Sequence, residues 1–194
     1  MEKRLYVIGE PNSDKWGAFI AFNDAEIKHI GSHFFGIKKS EVIIRESRVA
    51  TELEKATHAA KVAEHKFHQV DTLCQSFMDI TDNYRNIPNL PPYEIVNGIQ
   101  RLREQVDAFS NIEVMANLVD VKRIQREYVK YIKGVILSLM SGDVKNFNKK
   151  DTEFRKLVER CVNVLGNGRI YWQEEYDKAI VKVIEIDPSA VSAN

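Results

Sequence analysis

The sequence lacks most of the features that identify membrane proteins, secreted proteins and metalloenzymes. No apolar run approaches the roughly 20 residues of a membrane-spanning helix. The start, Met1–Arg4, leads into a strand-like stretch rather than a signal peptide, and there is no HExxH motif or CxxC pair. The two cysteines, Cys74 and Cys161, lie on apolar stripes of different predicted helices, which is typical of small buried side chains in a reducing compartment. We therefore expect a soluble, cytoplasmic protein without a cofactor, and we lean against an enzyme.

The chain also lacks a net charge, because 28 lysines and arginines are balanced by 28 aspartates and glutamates. This balance excludes a uniformly basic protein that coats nucleic acid and an acidic protein that imitates it. The hydrophobic share of 44% and the charged share of 29% are those of a globular protein. A length of 194 residues suits one domain, or a main body with a small appended unit.

A seven-residue repeat of apolar side chains is the strongest pattern that the sequence does contain. Its spacing alternates between four and three residues, which places every member on one stripe of an α-helix. Such a repeat is typical of helices that pack nearly side by side. The members are Val49, Leu53, Ala56, Ala60, Ala63, Phe67, Val70, Cys74 and Phe77. The small alanines at the centre predict that a partner helix approaches closely there.

The residues around the start of this repeat predict a small ββαβ unit. Strand-like composition is found in residues 3–9, 15–22 and 41–46. Asn23 has the short polar side chain of a helix N-cap, and Glu26 follows at the spacing of a capping box. Gly36 suits the end of this short helix.

Four longer helices are predicted after the small unit. Apolar residues at helical spacing predict helix A over residues 48–80, helix B from near Pro92 to Phe109, helix C from Val121 to Leu139 and helix D from Val144 to Leu165. Gly166 and Gly168 predict the end of helix D. The short connections predict that consecutive helices are antiparallel neighbours.

We therefore predict an α+β protein in which a small sheet unit, residues 1–47, packs on an antiparallel bundle of about four helices, residues 48–168. The fate of residues 169–187 is ambiguous. The β-branched side chains within Ala179–Ile186 favour a strand that returns to the N-terminal unit over a fifth helix. Residues 188–194 are expected to form a flexible tail.

Charge is distributed unevenly along the helical part of the chain. Residues 121–160 contain eleven basic and five acidic residues, whereas residues 41–120 contain eight basic and thirteen acidic residues. Basic side chains recur along helix C at three- and four-residue spacing, with a tyrosine beside them. This predicted basic face consists of Lys122, Arg126, Lys130, Tyr131 and Lys133. Such a face could bind phosphates or an acidic protein, or it could serve only to attract the acidic A–B hairpin, either within the bundle or between two molecules paired head to tail.

A second candidate site is predicted on helix A, within the histidine-bearing segment of residues 58–71. Residues three and four apart on a helix are neighbours, so their side chains could offer ligands to one metal ion. The candidate ligands are Glu64, His65, His68 and Asp71. Their spacing matches no zinc motif, and an ordinary solvated helix face has the same composition.

These patterns lead to three hypotheses about function. The first is a non-enzymatic binding protein, an adaptor or inhibitor of the kind that some phages and mobile elements carry, with another protein as its partner. The alternative is a protein that binds nucleic acid or nucleotide phosphates through the basic face of residues 121–160. The second alternative is a metal-dependent protein that uses the helix A face. Homo-oligomers formed through an apolar stripe or a free sheet edge are compatible with each hypothesis.

Replacing Ala60 with leucine tests the predicted close approach along helix A. The larger side chain would overpack the contact and lower the free energy of unfolding by about 1–3 kcal/mol. Urea denaturation of the wild type and of Ala60→Leu, followed by circular dichroism, measures the difference. An unchanged midpoint would show that the alanines do not form a tight contact.

Overall fold

The computed structural model describes residues 2–11, 13–141 and 147–191. The chain divides into two compact units, one comprising Met1–Val62 with Tyr176–Asn194, and the other comprising Ala63–Glu175. These divisions fall inside two long helices, whereas the sequence predicted boundaries at residues 48 and 169. The α+β fold with a three-stranded sheet and a helical body is confirmed.

The first unit contains a three-stranded antiparallel sheet. Its strands are β1 (Arg4–Gly9), β2 (Trp16–Ala21) and β3 (Ile43–Val49). The first two lie where the sequence predicted them, and the third begins two residues and ends three residues later than the predicted range of 41–46. The strand order is β2-β1-β3, so that β1 is central. On β1, Tyr6 lies opposite Phe19 of β2 and opposite Ser47 of β3.

Helix α1 (Asp24–Phe35) follows β2 with the predicted caps. Asn23 Oδ1 accepts a hydrogen bond of 2.9 Å from the Glu26 amide, and the Glu26 carboxylate accepts one of 2.7 Å from the amide of Phe22. Gly36 ends the helix in the left-handed conformation with φ of 69°, which favours glycine. The apolar side of α1 packs on the sheet around Tyr6, Ile8, Ala21, Ile27 and Val42.

Helix α2 (Glu52–Asn86) is 35 residues long and contains the predicted apolar repeat from Leu53 onwards. The assignment of Val49 to this repeat is wrong, because Val49 is the last residue of β3 and its side chain is 44% exposed. In the first unit, Ala56 and Ala60 are buried together against Val183. The alanine stripe therefore lies where a second helix comes close.

The second unit is built from the rest of α2 and four further helices. These are α3 (Ile95–Asn111), α4 (Val119–Met140), α5 (Phe147–Cys161) and the first part of α6 (Asn167–Ile186). Helices A, B and C are thus confirmed as α2, α3 and α4. Their largest fully buried side chains include Leu73, Leu102, Phe109, Tyr128 and Phe154. The hydroxyls of Thr81 and Tyr128 share a buried hydrogen bond of 2.8 Å.

The prediction of a strand in residues 169–187 is wrong, because this segment lies within helix α6 and its end. The observed structure is a further helix, which was the less favoured of the two alternatives in the sequence analysis. Ala179, Ile180 and Val183 are spaced by one and three residues, which puts them on one helix face, and they pack with Ala56 and Ala60. Burial of that face outweighs the weak preference of β-branched residues for strands.

Gly166 and Gly168 do not end helix D, and this prediction is also wrong. A five-residue π-helical segment, Val162–Gly166, joins α5 directly to α6. Among the described residues, Gly36 is the glycine with positive φ, so neither Gly166 nor Gly168 uses the conformation of a glycine stop. A Cβ on Gly168 would lie 3.5 Å from a methyl carbon of Val70. The glycine therefore lies where α6 packs against α2.

Val144, which was assigned to the stripe of helix D, lies outside the described residues. Within the described ranges, no helix combines the length and apolar character needed to cross a membrane.

Replacing Gly31 with alanine tests how tightly α1 packs on the sheet. Alanine favours a helix by about 1 kcal/mol over glycine. However, a Cβ at residue 31 would lie 2.6 Å from Ile8 Cδ1 and 2.8 Å from Val42 Cγ1. We expect overpacking to prevail and lower the free energy of unfolding by about 1–3 kcal/mol.

Gly134→Ala is the matched control, because no atom lies within 4 Å of a Cβ at that position. This variant should gain helix propensity and unfold at a higher urea concentration than the wild type. Equal stabilisation by both substitutions would contradict the close contact at Gly31.

Candidate functional site

Three cationic side chains follow one another along the surface of α4. Lys122, Arg126 and Lys130 are spaced by four residues, or about 6 Å along the helix axis. The opposite side of α4 is buried in the core through Val121, Ile124, Tyr128, Ile132 and Val135. Burial of that side turns the three cations outward. Lys122 is half-buried, and Arg126 and Lys130 are exposed.

The three cations line one groove between α4 and the end of α3, which we call the basic groove. Its volume is about 670 Å³. It is lined by Ser110, Asn111, Ile112, Glu113, Val114, Lys122, Gln125, Arg126, Val129 and Lys130. The groove therefore combines cations from α4 with an apolar base and with polar groups from the residues after α3.

Gln125 holds the two walls of the basic groove together. Its buried side-chain amide donates hydrogen bonds of 2.8 Å to the carbonyl of Phe109 and 3.0 Å to the carbonyl of Ile112. These carbonyls stand at the C-terminal end of α3, where the amides of a following turn are missing, and the Phe109 carbonyl also accepts a hydrogen bond of 3.3 Å from the Ile112 amide. The sequence analysis did not identify Gln125. Its position directly after Ile124, a member of the apolar stripe, could have indicated that this polar side chain is buried.

Two members of the predicted basic face are engaged elsewhere. Lys133 Nζ lies 2.7 Å from Asp107 Oδ1 on α3. Its hydrogen bond and positive charge lower the pKa of the Asp107 carboxyl. The ring of Tyr131 stacks on Phe154 with 5.9 Å between centroids. The predicted face thus divides, and only Lys122, Arg126 and Lys130 share the basic groove.

No acidic side chain among the described residues lies within ion-pair distance of these three cations. Other cations of the same segment are neutralised locally. Arg123 pairs with Asp120 at 2.7 Å, and Arg160 pairs with Glu127 at 2.5 Å. The excess positive charge counted in the sequence is therefore concentrated, in part, at the basic groove.

A second groove lies between α4 and α5 on the other side of Lys130, and we call it the α4–α5 groove. Its volume is about 570 Å³. It is lined by Glu127, Lys130, Tyr131, Gly134, Val135, Glu153, Lys156, Leu157 and Arg160. Apolar side chains form its base, and charges of both signs stand at its rim. Because Lys130 lines both grooves, a bound chain could contact both.

The predicted metal ligands of α2 are placed differently. His65 Nε2 is 3.2 Å from the side-chain nitrogen of Gln69, and the ring of His68 lies beside Phe67. Asp71 Oδ1 is 2.5 Å from Arg169 Nε in an ion pair. In the part of the chain that the structure describes, no three histidine, cysteine, aspartate or glutamate side chains are grouped to hold a metal ion. The metal site, including Glu64, stays a prediction without geometric support.

A buried lysine was also missed by the sequence prediction. Lys66 is only 8% exposed, and its Nζ lies 4.0 Å from the centre of the Trp172 ring. Burial lowers the pKa of this amine, and the negative face of the indole offsets part of the lost hydration. Lys66 lines neither of the two grooves, so we assign it to the core.

Comparison with protein-family models, with curated proteins and with solved structures finds no match for this chain. Its function therefore has to be inferred from the geometry of the two grooves.

Replacing Lys133 with glutamine tests whether this cation is engaged by Asp107. Loss of the hydrogen bond and of the positive charge should raise the pKa of the Asp107 carboxyl toward its ordinary value. A pH titration of the carboxyl carbon by NMR measures the shift. Lys130→Gln is the control and should leave the pKa of Asp107 unchanged. Equal values in the wild type and in Lys133→Gln would contradict the ion pair.

Proposed function

We propose that this protein is a non-enzymatic binding protein, an adaptor or inhibitor, that holds an acidic segment of another protein in the basic groove. The observation that carries the proposal is the row of Lys122, Arg126 and Lys130, which has no described acidic partner and lines a groove with an apolar base. A cytoplasmic location is part of the proposal. Both cysteines are free, which suits a reducing compartment.

The spacing of the cations favours an extended acidic segment. Side chains four residues apart on a helix are separated by about 6 Å along its axis. Alternate residues of an extended chain are about 6.6 Å apart and point to the same side. An extended segment with acidic residues at alternate positions could therefore place one carboxylate near each cation, while the intervening side chains reach apolar surface.

The composition of the grooves favours a protein over a nucleic acid. Glu113 lines the basic groove, and Glu127 and Glu153 line the α4–α5 groove. These carboxylates repel phosphates and acidic side chains alike, so the preference for a protein rests on the apolar surface that lies beside the cations. The apolar base of the α4–α5 groove, with Val135 and Leu157, suits an aliphatic or aromatic side chain.

A double charge reversal tests the proposal. The probe is a fluorescein-labelled peptide of twelve residues in which glutamate and leucine alternate. Binding is measured by fluorescence anisotropy in about 50 mM and 150 mM NaCl. We expect Arg126→Glu with Lys130→Glu to weaken the affinity at least about tenfold, because two attractive contacts become repulsive. The affinity of the wild type should fall at the higher salt concentration.

Lys61→Glu with Arg101→Glu is the matched control, since it makes the same charge change at exposed positions outside both grooves. It should bind the peptide within about twofold of the wild type. Equal binding by the two double variants would contradict the proposal. A labelled single-stranded DNA of twelve nucleotides is titrated in parallel. Tighter binding of this DNA than of the peptide, with a steep salt dependence, would instead favour the nucleic-acid alternative.

A further inference from the structure

The two edges of the sheet differ in their side chains. Strand β3 carries Arg45, Glu46 and Arg48, and Arg48 forms ion pairs with Glu46 and Glu54. Charged side chains on an edge strand oppose the addition of another strand, because pairing would remove their hydration. Strand β2 (Trp16–Ala21) contains no charged residue and no proline. Of the two edges, β2 is the one that a further strand can join.

The outer side of β2 has backbone groups available for such pairing. In the described part of the sheet, β2 bonds only to β1, so every second amide and carbonyl of β2 points away from the sheet. Ala18 is exposed and Gly17 is half-buried, so small side chains stand at the centre of this edge. An incoming strand therefore meets little steric hindrance.

Exposed aromatic side chains accompany this edge on both faces of the sheet. Phe19 lies on the α1 side, and its ring is in edge-to-face contact with Phe34, with 5.0 Å between centroids and Phe34 64% exposed. On the opposite face, the Trp16 ring lies over Gly9 of β1 with the Arg45 guanidinium 5.3 Å from its centre, and it is 39% exposed. Phe22, directly after the strand, is 42% exposed. An added strand would cover these rings.

We propose that two copies of this chain associate through their β2 strands, in an antiparallel pair that joins the two sheets into one sheet of six strands. The two-fold axis passes through Phe19, which lies opposite Phe19 of the second copy. Trp16 then lies opposite Phe22, Gly17 opposite Ala21 and Ala18 opposite Ile20. In this register a residue with a large aromatic side chain lies opposite another one at positions 16, 19 and 22, and none of them falls opposite glycine or alanine.

Charge complementarity supports this register. Opposite residues add to 38, so Lys15 of one copy lies opposite Asn23 of the other. Asn23 is the N-cap of α1, and Asp24 and Glu26 follow in its first turn. The cation therefore meets an acidic helix start, twice per dimer. Placing the axis at Ala18 would instead set Lys15 opposite the apolar Ala21. A second copy thus fits the edge in both charge and size.

This inference does not depend on the proposed function, because it uses only residues of the first unit. The mass of the protein in solution tests it first, by light scattering or sedimentation at concentrations from about 1 to 100 µM. We expect the wild type to reach twice the 22.3 kDa of one chain. A mass of one chain at every concentration would overturn the proposal.

Ala18→Lys tests the edge itself. The substitution places a charge at an exposed position of β2, where pairing would bury it against the second copy. We expect the dissociation constant of the dimer to rise at least about hundredfold, with unchanged far-ultraviolet circular dichroism. Ala108→Lys, at an exposed position of α3, is the matched control and should remain a dimer. A folded Ala18→Lys protein that still dimerises like the wild type would overturn the proposal.

Phe19→Cys tests the register. In an antiparallel pair, opposite Cα atoms are about 4.5 or 5.5 Å apart, which a disulfide can bridge. With oxidised glutathione present, this variant should form a covalent dimer on non-reducing gels. The wild type should not, because Cys161 is buried and Cys74 is partly buried. A dimeric Phe19→Cys protein that fails to cross-link would overturn the position of the axis.

Discussion

The apolar stripe of α2 is the constraint on which the rest of the structure depends. This one helix supplies Ala56 and Ala60 to a cluster in the first unit, and Val70, Leu73 and Phe77 to the core of the second unit. The small residues at one end admit a close helix, and the large residues at the other fill a wider space. The buried hydroxyl of Thr81 on α2 also shares a hydrogen bond with the hydroxyl of Tyr128 on α4. This bond helps to set the rotation of α4 about its axis in the second unit. With that rotation set, the cationic side of α4 has to face outward.

Local pairing decides which cations of α4 have an acidic partner among the described residues. The ion pair of Lys133 with Asp107 joins the basic segment, residues 121–160, to the acidic segment, residues 41–120. This is the attraction between the two hairpins that the sequence offered as an alternative to binding. Lys122, Arg126 and Lys130 have no acidic partner among the described residues, and the carbonyls at the end of α3 beside them are bonded by the side-chain amide of Gln125. The structural explanation of the basic segment therefore applies to Lys133, and the binding proposal concerns Lys122, Arg126 and Lys130 of the same helix.

Polar groups beside apolar stripes explain most of what sequence reasoning missed at the candidate site. Gln125, Thr81 and Lys66 are all buried, although hydropathy assigns each to the surface. Each is satisfied by a partner distant in sequence: a carbonyl, a hydroxyl or an indole ring. Because these partners come from other helices, a pattern read along one helix does not reveal them. The three cations of the basic groove were predicted, but their separation from Tyr131 and Lys133 was not.

The sequence by itself determined the features that depend on neighbouring residues. These are the three strands, the Asn23 and Gly36 caps of α1, and the stripes of α2, α3 and α4, since capping, turn formation and helical periodicity act within a few residues. Tertiary structure decided the state of residues 169–187, where packing of Ala179 and Val183 on the alanines of α2 outweighed a weak strand preference. It also decided that Gly166 and Gly168 continue a helix, and which cations line a groove. Those outcomes depend on contacts between segments far apart in the chain, whose energies no local pattern contains.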